Sequence, residues 1–175
     1  MSLLALNRPD SSEAEGRQEI QFACIRLASE MYALDIMRIK EIIRPQKLTS
    51  VPRAPAFVDG MINLRGTVIP VVDLRKRFDL PATPIDRKTR IVICAISEKF
   101  VGLMVDEVTE VRRYLRHEVR PAPEFVKGKG AEFFMAVCQR ESDLVMLIDL
   151  AKILSSDEII DLKKISPQAL GGGNG

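Results

Sequence analysis

From residue 18 onward, short apolar runs alternate with turn-forming clusters. "IQFACIRL" (20–27) and "MYALDI" (31–36) lie a hairpin's length apart, and both predict strands. "RIKEII" (38–43) alternates strictly, which sets Ile39, Glu41 and Ile43 on one face and Arg38, Lys40 and Ile42 on the other. After the proline-rich connection "RPQKLTSVPRAP" come "FVDGMINL" and "TVIPVVDL", hinged on Arg65-Gly66. Pro70 has no amide hydrogen for a ladder, so it belongs at an edge or a bulge. Leu74 and Phe78 are four apart and predict a short amphipathic helix, with Asp73 as its N-cap and Arg75, Lys76 and Arg77 on the solvent side.

The later part repeats this series. "TRIVICAIS" (89–97) predicts a strand, and "KFVGLMVDEVTEVRR" (99–113) a strand followed by a second apolar alternation at Val105, Val108 and Val111. "EFFMAVCQR" and "DLVMLIDL" form a hairpin across Glu-Ser, and "DLAKIL" has helical spacing. Laid over each other, "LDIMRIKEIIR" (34–44) and "LMVDEVTEVRR" (103–113) match Leu34 with Leu103, Ile36 with Val105, Ile39 with Val108, Glu41 with Glu110, Ile42 with Val111 and Arg44 with Arg113. "VIPVVDL" lies over "LVMLIDL", so Asp73 and Asp149 are equivalent caps. This duplication predicts an all-β protein of two small barrels of about 65 residues each, roughly 18–88 and 89–158, sharing a core because neither half buries enough surface alone. Residues 1–17 read as a flexible arm and 159–175 as a helix end running into a glycine-rich tail.

Composition narrows the function. Hydrophobic residues are 46% and charged residues 29%, enough for a core in a soluble globular chain, and no apolar run is long enough to span a bilayer. The net charge of +2, with both signs interspersed, argues for neither a nucleic-acid nor a membrane partner. Aromatic residues are 5% with no tryptophan, too few for base-stacking platforms. Cys24, Cys94 and Cys138 are far apart in apolar contexts and read as buried thiols, not as a disulfide frame or a zinc site.

Catalytic chemistry is hard to assemble. His117 is the only histidine, and no nucleophile elbow, HExxH or phosphate loop occurs. Asp106 and Glu107 are adjacent, so on a strand they point to opposite faces and cannot flank one bond. Two positions remain. Glu41 is a carboxylate on an apolar face, either an edge charge against aggregation or a contact for a partner. Arg65 sits on a two-residue turn whose Gly66 takes the unusual backbone angles and whose Asn63 bonds turn amides. It is either a solvated turn arginine or a guanidinium offered to carboxylates and carbonyls of another macromolecule.

"GMINLRGTVIPVVDLRKRF" closely resembles the signature of the CheW family, the coupling proteins of bacterial chemotaxis. "YALDIMRIKEII", "VGLMVDEVTEV", "RPAPEF" and "LVMLIDLAKIL" follow in the family's order, so the likeness spans about residues 18–158. It implies two intertwined SH3-like five-stranded barrels, no enzymatic activity and no cofactor. It implies two partners in the cytoplasm: the cytoplasmic tip of chemoreceptors and the regulatory domain of the histidine kinase CheA, with the free protein monomeric. Carried over by position, Arg65 within Asn63-Leu64-Arg65-Gly66 matches the coupling arginine. Ile39 and Glu41 match partner-contact positions, Gly60 and Val108 coupling positions, and Arg120 and Phe125 a second kinase contact. Ile42 and Val111 join Ile39 and Val108 as the expected apolar docking residues, with Arg65 and Glu41 at the rim. Ala33 departs from the glycine usual there, which Gly102 keeps in the second copy. The competing expectations are a paralogue serving a non-flagellar chemosensory pathway and an SH3-like nucleic-acid module.

Overall fold

The computed structural model describes residues 18–81, 83–122 and 131–154. The strands are β1 (Glu19–Leu27), β2 (Glu30–Asp35), β3 (Ile39–Ile43), β4 (Val58–Leu64), β5 (Thr67–Asp73), β6 (Arg90–Ile96), β7 (Lys99–Val105), β8 (Glu107–Leu115), β9 (Val119–Pro121), β10 (Phe134–Arg140) and β11 (Asp143–Ile148). One-turn helices α1 (Leu74–Arg77) and α2 (Leu150–Ile153) follow β5 and β11. Asp73 and Asp149 cap them equivalently, each accepting a hydrogen bond from the amide two residues on, Arg75 and Ala151.

The strands form a six-stranded sheet, β8-β1-β2-β11-β10-β9, and a five-stranded sheet, β3-β6-β7-β5-β4. Every pairing in one sheet has its counterpart in the other. Hairpin β1–β2 answers β6–β7, and β4–β5 answers β10–β11. The parallel contact of β5 with β7 answers that of β11 with β2. The sixth strand, β9, corresponds to the single bridge Thr49–Met61 in the other copy.

The sheets cut across the expected division at residue 88. The six-stranded sheet takes β1 and β2 from the first half and β8–β11 from the second, and the five-stranded sheet takes β3–β5 and β6–β7. The crossing occurs after β2 and after β7. β3 leaves its own hairpin to pair with β6, and β8 leaves its own to pair with β1. The halves 18–88 and 89–158 are therefore reciprocally exchanged, each sheet drawing strands from both.

Three apolar clusters follow from this layout. Phe22, Ala33, Tyr114, Cys138 and Leu147 fill the six-stranded sheet's own interior. Ile62, Ile69, Val71, Ile91, Ile93 and Met104 fill that of the five-stranded sheet. The largest cluster lies between them and draws Ile25, Leu27 and Leu34 from one sheet and Val72, Val92, Cys94, Leu103 and Val105 from the other. Strands such as "RIVICAI" are apolar at nearly every position because both faces are buried. Cys24, Cys94 and Cys138 are free and buried, and burial pushes the thiols of Cys94 and Cys138 up to about 12. Pro70 is tolerated inside the sheet because the ladder of β5 with β7 begins only at Val71.

One expectation about α1 is overturned. Arg75 does not share the solvent side with Lys76; it is 3% exposed. Its guanidinium donates to both carboxylate oxygens of Asp73 at 3.0 Å and to Asp106 Oδ1 at 2.9 Å. Asp106 also accepts from Thr83 Oγ1 at 2.8 Å and from the Ala28 amide at 2.7 Å. A helix of four residues has no solvent face fixed by periodicity, and two buried carboxylates need the counter-charge. This knot joins α1, the β7–β8 crossing and the β1–β2 turn. Arg77 is half-buried, its guanidinium 4.3 Å from the Phe57 ring centroid and 4.9 Å from that of Phe133.

Two outcomes follow. Fragments 18–88 and 89–158, made separately, each lack a cooperative thermal transition by circular dichroism, and an equimolar mixture regains one; a fragment that melts cooperatively alone contradicts the exchange. Arg75→Leu leaves Asp73 and Asp106 buried without a counter-charge and lowers stability by about 3–5 kcal/mol in urea unfolding. A loss below about 1 kcal/mol contradicts the knot's role.

Candidate functional site

Leu64 pairs with Thr67, which leaves Arg65 and Gly66 as a two-residue hairpin loop. Their φ angles are +52° and +88°, both positive as a primed turn matching the strand twist requires. Asn63 Oδ1 accepts a hydrogen bond from the Gly66 amide at 2.9 Å and holds the loop. A Cβ on Gly66 would meet nothing within 4 Å, so its role is conformational. Its positive φ is shared with turn residues such as Ser97, Glu98 and Glu141, so what sets Arg65 apart is the exposed side chain and not the backbone angle.

The Arg65 side chain is 70% exposed and ion-paired to Glu41 on β3. Nη1 donates to Oε1 at 3.3 Å and Nη2 to Oε2, a bidentate pair. β3 and β4 are the two outer strands of the five-stranded sheet, so the pair spans the seam where that sheet curls back on itself. The hydrogen bond from Arg65 holds the Glu41 carboxyl below the usual glutamate range. The carboxylate on the apolar face thus has its partner within the chain, and the pair leaves the exposed guanidinium with N–H donors to spare.

The two faces of β3 differ from strict alternation. Ile43 pairs with Ile91, Ile42 with Val92 and Glu41 with Ile93, but Ile39 pairs with Cys94 across a bulge at Lys40. Residues paired across strands share a face. Ile39 therefore stands with Ile42 on the face of Val92 and Cys94, which is the central cluster, while Glu41 and Ile43 stand on the opposite face. The expectation that Ile39, Glu41 and Ile43 share a face is corrected by this one extra residue.

β8 carries the counterpart. Val108 pairs with Ile25 and Val111 with Ala23 across a bulge at Thr109. Ile39 and Val108 are both half-buried against the central cluster. Ile42 and Val111, three residues further along each strand, are 43% and 52% exposed. The duplication thus places two matching apolar pairs along the junction of the sheets, with half of each pair facing solvent. The signal was present in both copies, because Ile39–Ile42 and Val108–Val111 share a spacing of three, which reaches one face of a strand only through a bulge.

Other expected residues fall elsewhere. Gly60 is buried with φ +155°, and a Cβ there would lie 2.6 Å from the Thr49 carbonyl oxygen. Its contribution is the close approach of the 48–49 segment, not a surface. Arg120 is exposed on β9, away from the Arg65 turn in the pairing order. Phe125 lies outside the described residues. Among the described residues no three His, Cys, Asp or Glu side chains gather as a metal site would require, and no helix is long and apolar enough to cross a membrane.

The Arg65–Glu41 pair is checked by titration. Glu41, followed by carboxyl NMR, titrates below the ordinary glutamate range, and Arg65→Gln moves its midpoint upward. What stability the pair adds is present above the unfolded glutamate's pKa and fades as pH falls through the depressed folded value. A midpoint indifferent to Arg65→Gln contradicts the pairing.

Residues 21–158 match the CheW-like domain family. A chemotaxis protein CheW of Bacillus subtilis is 37% identical over 126 residues, covering 72% of this chain and 81% of that protein. The Klebsiella aerogenes chemotaxis protein CheW is 31% identical over 139 residues, 79% of this chain and 84% of that one. The crystal structure of the scaffolding protein TtCheW from Thermoanaerobacter tengcongensis superposes with a TM-score of 0.75 at 30% identity, covering 81% of this chain and 96% of that chain. The paired sheets are accordingly the SH3-like all-β fold expected of the resemblance. An exposed guanidinium on a locked turn, apolar pairs at the sheet junction and a match of this extent agree: the chain belongs to the CheW family and is a chemotaxis scaffold.

Proposed function

We propose that this scaffold couples the cytoplasmic tip of chemoreceptors to the regulatory domain of the histidine kinase CheA, and does so by binding alone. The supporting observation is the outward Arg65, locked by Asn63 and steadied by Glu41, beside a strand whose other face carries Ile39 and Ile42. A helical receptor hairpin laid along the junction buries Ile42 and Val111 at about 1 kcal/mol each. Arg65 then sets register, since its planar fork has donors to spare for a carboxylate or carbonyl of the partner. Arg120, on the short edge strand β9, suits a second contact with the kinase, where exposed backbone groups also await pairing. Individually modest contacts gain strength when several are engaged in one array beneath the membrane.

Arg65→Glu reverses the presented charge and opposes Glu41 without touching a buried group. The variant keeps a cooperative thermal transition, while co-purification with CheA and a receptor cytoplasmic fragment falls about tenfold or more. Wild-type capture by a folded Arg65→Glu protein contradicts the role given to this turn.

A further inference from the structure

Beyond Ile42, β3 runs into a cleft of about 410 Å³ lined by Arg44, Pro45, Ile85, Asp86, Arg87 and Arg90. That volume is in the range of about 300–1,000 Å³ that suits a small ligand or a few side chains. The register of β3 on β6, Ile42 to Val92 and Ile43 to Ile91, continued by one residue sets Arg44 opposite Arg90. Arg90 itself pairs with Val105, a member of the central cluster, so Arg44 and Arg90 stand on the face that carries Ile39 and Ile42. That face of β3 therefore reads apolar, apolar, cationic. It ends in a hollow whose wall includes Ile85, 58% exposed.

The charge in the cleft is unbalanced. Among the described residues Asp86 is the only acid in the lining, and it is already committed: it accepts from the Lys88 amide at 2.8 Å and the Thr89 amide at 3.2 Å. Those bonds, the Lys88 amide foremost, hold it below the usual aspartate range. Arg90 spends one guanidinium nitrogen on the carbonyls of Arg87 and Thr89, each at 2.8 Å. Among the described residues no acid is ion-paired to Arg44, Arg87 or Arg90, and the guanidinium groups of Arg44 and Arg87 make no hydrogen bond.

We propose that this cleft is a second anchor for the partner lying along β3, taking a peptide segment that carries carboxylates beside an aliphatic side chain. The inference rests on the partner-binding reading above and adds the chemistry of the segment. Arg44 and Arg87 supply planar donors for carboxylates, and Pro45 with Ile85 supplies the apolar wall. A phosphate would use only the cations and leave the apolar wall of Pro45 and Ile85 uncovered. No aromatic ring lines the cleft for a nucleic-acid base to stack on.

The test uses the full chain, ¹⁵N-labelled, with two probes: an acetylated Asp-Glu-Ile-Leu amide and inorganic phosphate. The peptide shifts the amides of residues 44 and 85–90 saturably. The shifts fade at about 0.5 M salt and vanish in Arg44→Glu/Arg87→Glu, whose side chains have no partner to lose. The same double variant weakens capture of the receptor cytoplasmic fragment several-fold. Equal shifts from phosphate make the cleft a simple anion site and overturn the proposal. Peptide binding that appears only when Asp157, Glu158 and Asp161 are neutralised assigns the cleft to the chain's own acidic segment, and also overturns it. If Arg65→Glu abolishes capture while the double variant captures normally, this anchor fails and the partner reading stands. If Arg65→Glu captures normally, that reading fails by itself.

Discussion

The pairing of β3 with β6 and of β8 with β1 is the constraint on which the rest of the molecule depends. Each half of the chain gives its third strand to the other half's first hairpin. Neither sheet can close until both crossings are made, so the central cluster forms only when the whole domain does. The crossing after β7 is fastened by Asp106, which receives Arg75 from α1, Thr83 and the Ala28 amide. A buried ion pair of this kind is weak as a source of stability. Its value lies in rejecting alternatives, because a misplaced crossing would strand two carboxylates and a guanidinium out of water.

The same exchange builds the surface proposed for docking. β3 and β8 become outer strands because they left their own hairpins, and each carries a bulge one residue after the crossing's first apolar side chain. The bulge turns Ile39 and Val108 inward onto the central cluster and leaves Ile42 and Val111 half-exposed on the same face. On the opposite face of β3, Glu41 reaches the Arg65 turn and ties the two ends of the five-stranded sheet together. One strand therefore supplies the apolar strip and the acid that steadies the arginine, and Arg44, just past its end, is the first wall of the basic cleft.

Much of this was legible in the chain. The apolar alternations, the proline and glycine punctuation and the duplicated "VIPVVDL" and "LVMLIDL" mark the strands, the hairpins and the equivalent caps Asp73 and Asp149. The Asn63-Arg65-Gly66 turn was readable because its chemistry is local. Which strands are exchanged was not, since which hairpin β3 joins is decided by long-range packing that both halves satisfy equally well in pattern. The face of Ile39 was misread because alternation assumes an unbroken ladder, although the repeated spacing of three carried the information. Arg75 was misread because its charge resembles that of Lys76, while its acid Asp106 is 31 residues away. Gly60 illustrates the converse: only the resemblance marked it, as a coupling position, and the structure adds a local reason for glycine, the Thr49 carbonyl beside it.

The central claim is that partners bind where the exchanged strands β3 and β8 meet solvent, with the Arg65 turn at one side. Methyl and amide NMR of the full chain, titrated with a receptor cytoplasmic fragment, tests it most directly. The methyl signals of Ile39, Ile42, Val108 and Val111 and the amides of residues 63–66 shift together and saturate, while Ile62 and Ile69, inside the five-stranded sheet, stay in place. Shifts confined to another surface, such as the β10–β11 hairpin, with those four methyl-bearing residues unmoved, contradict the account.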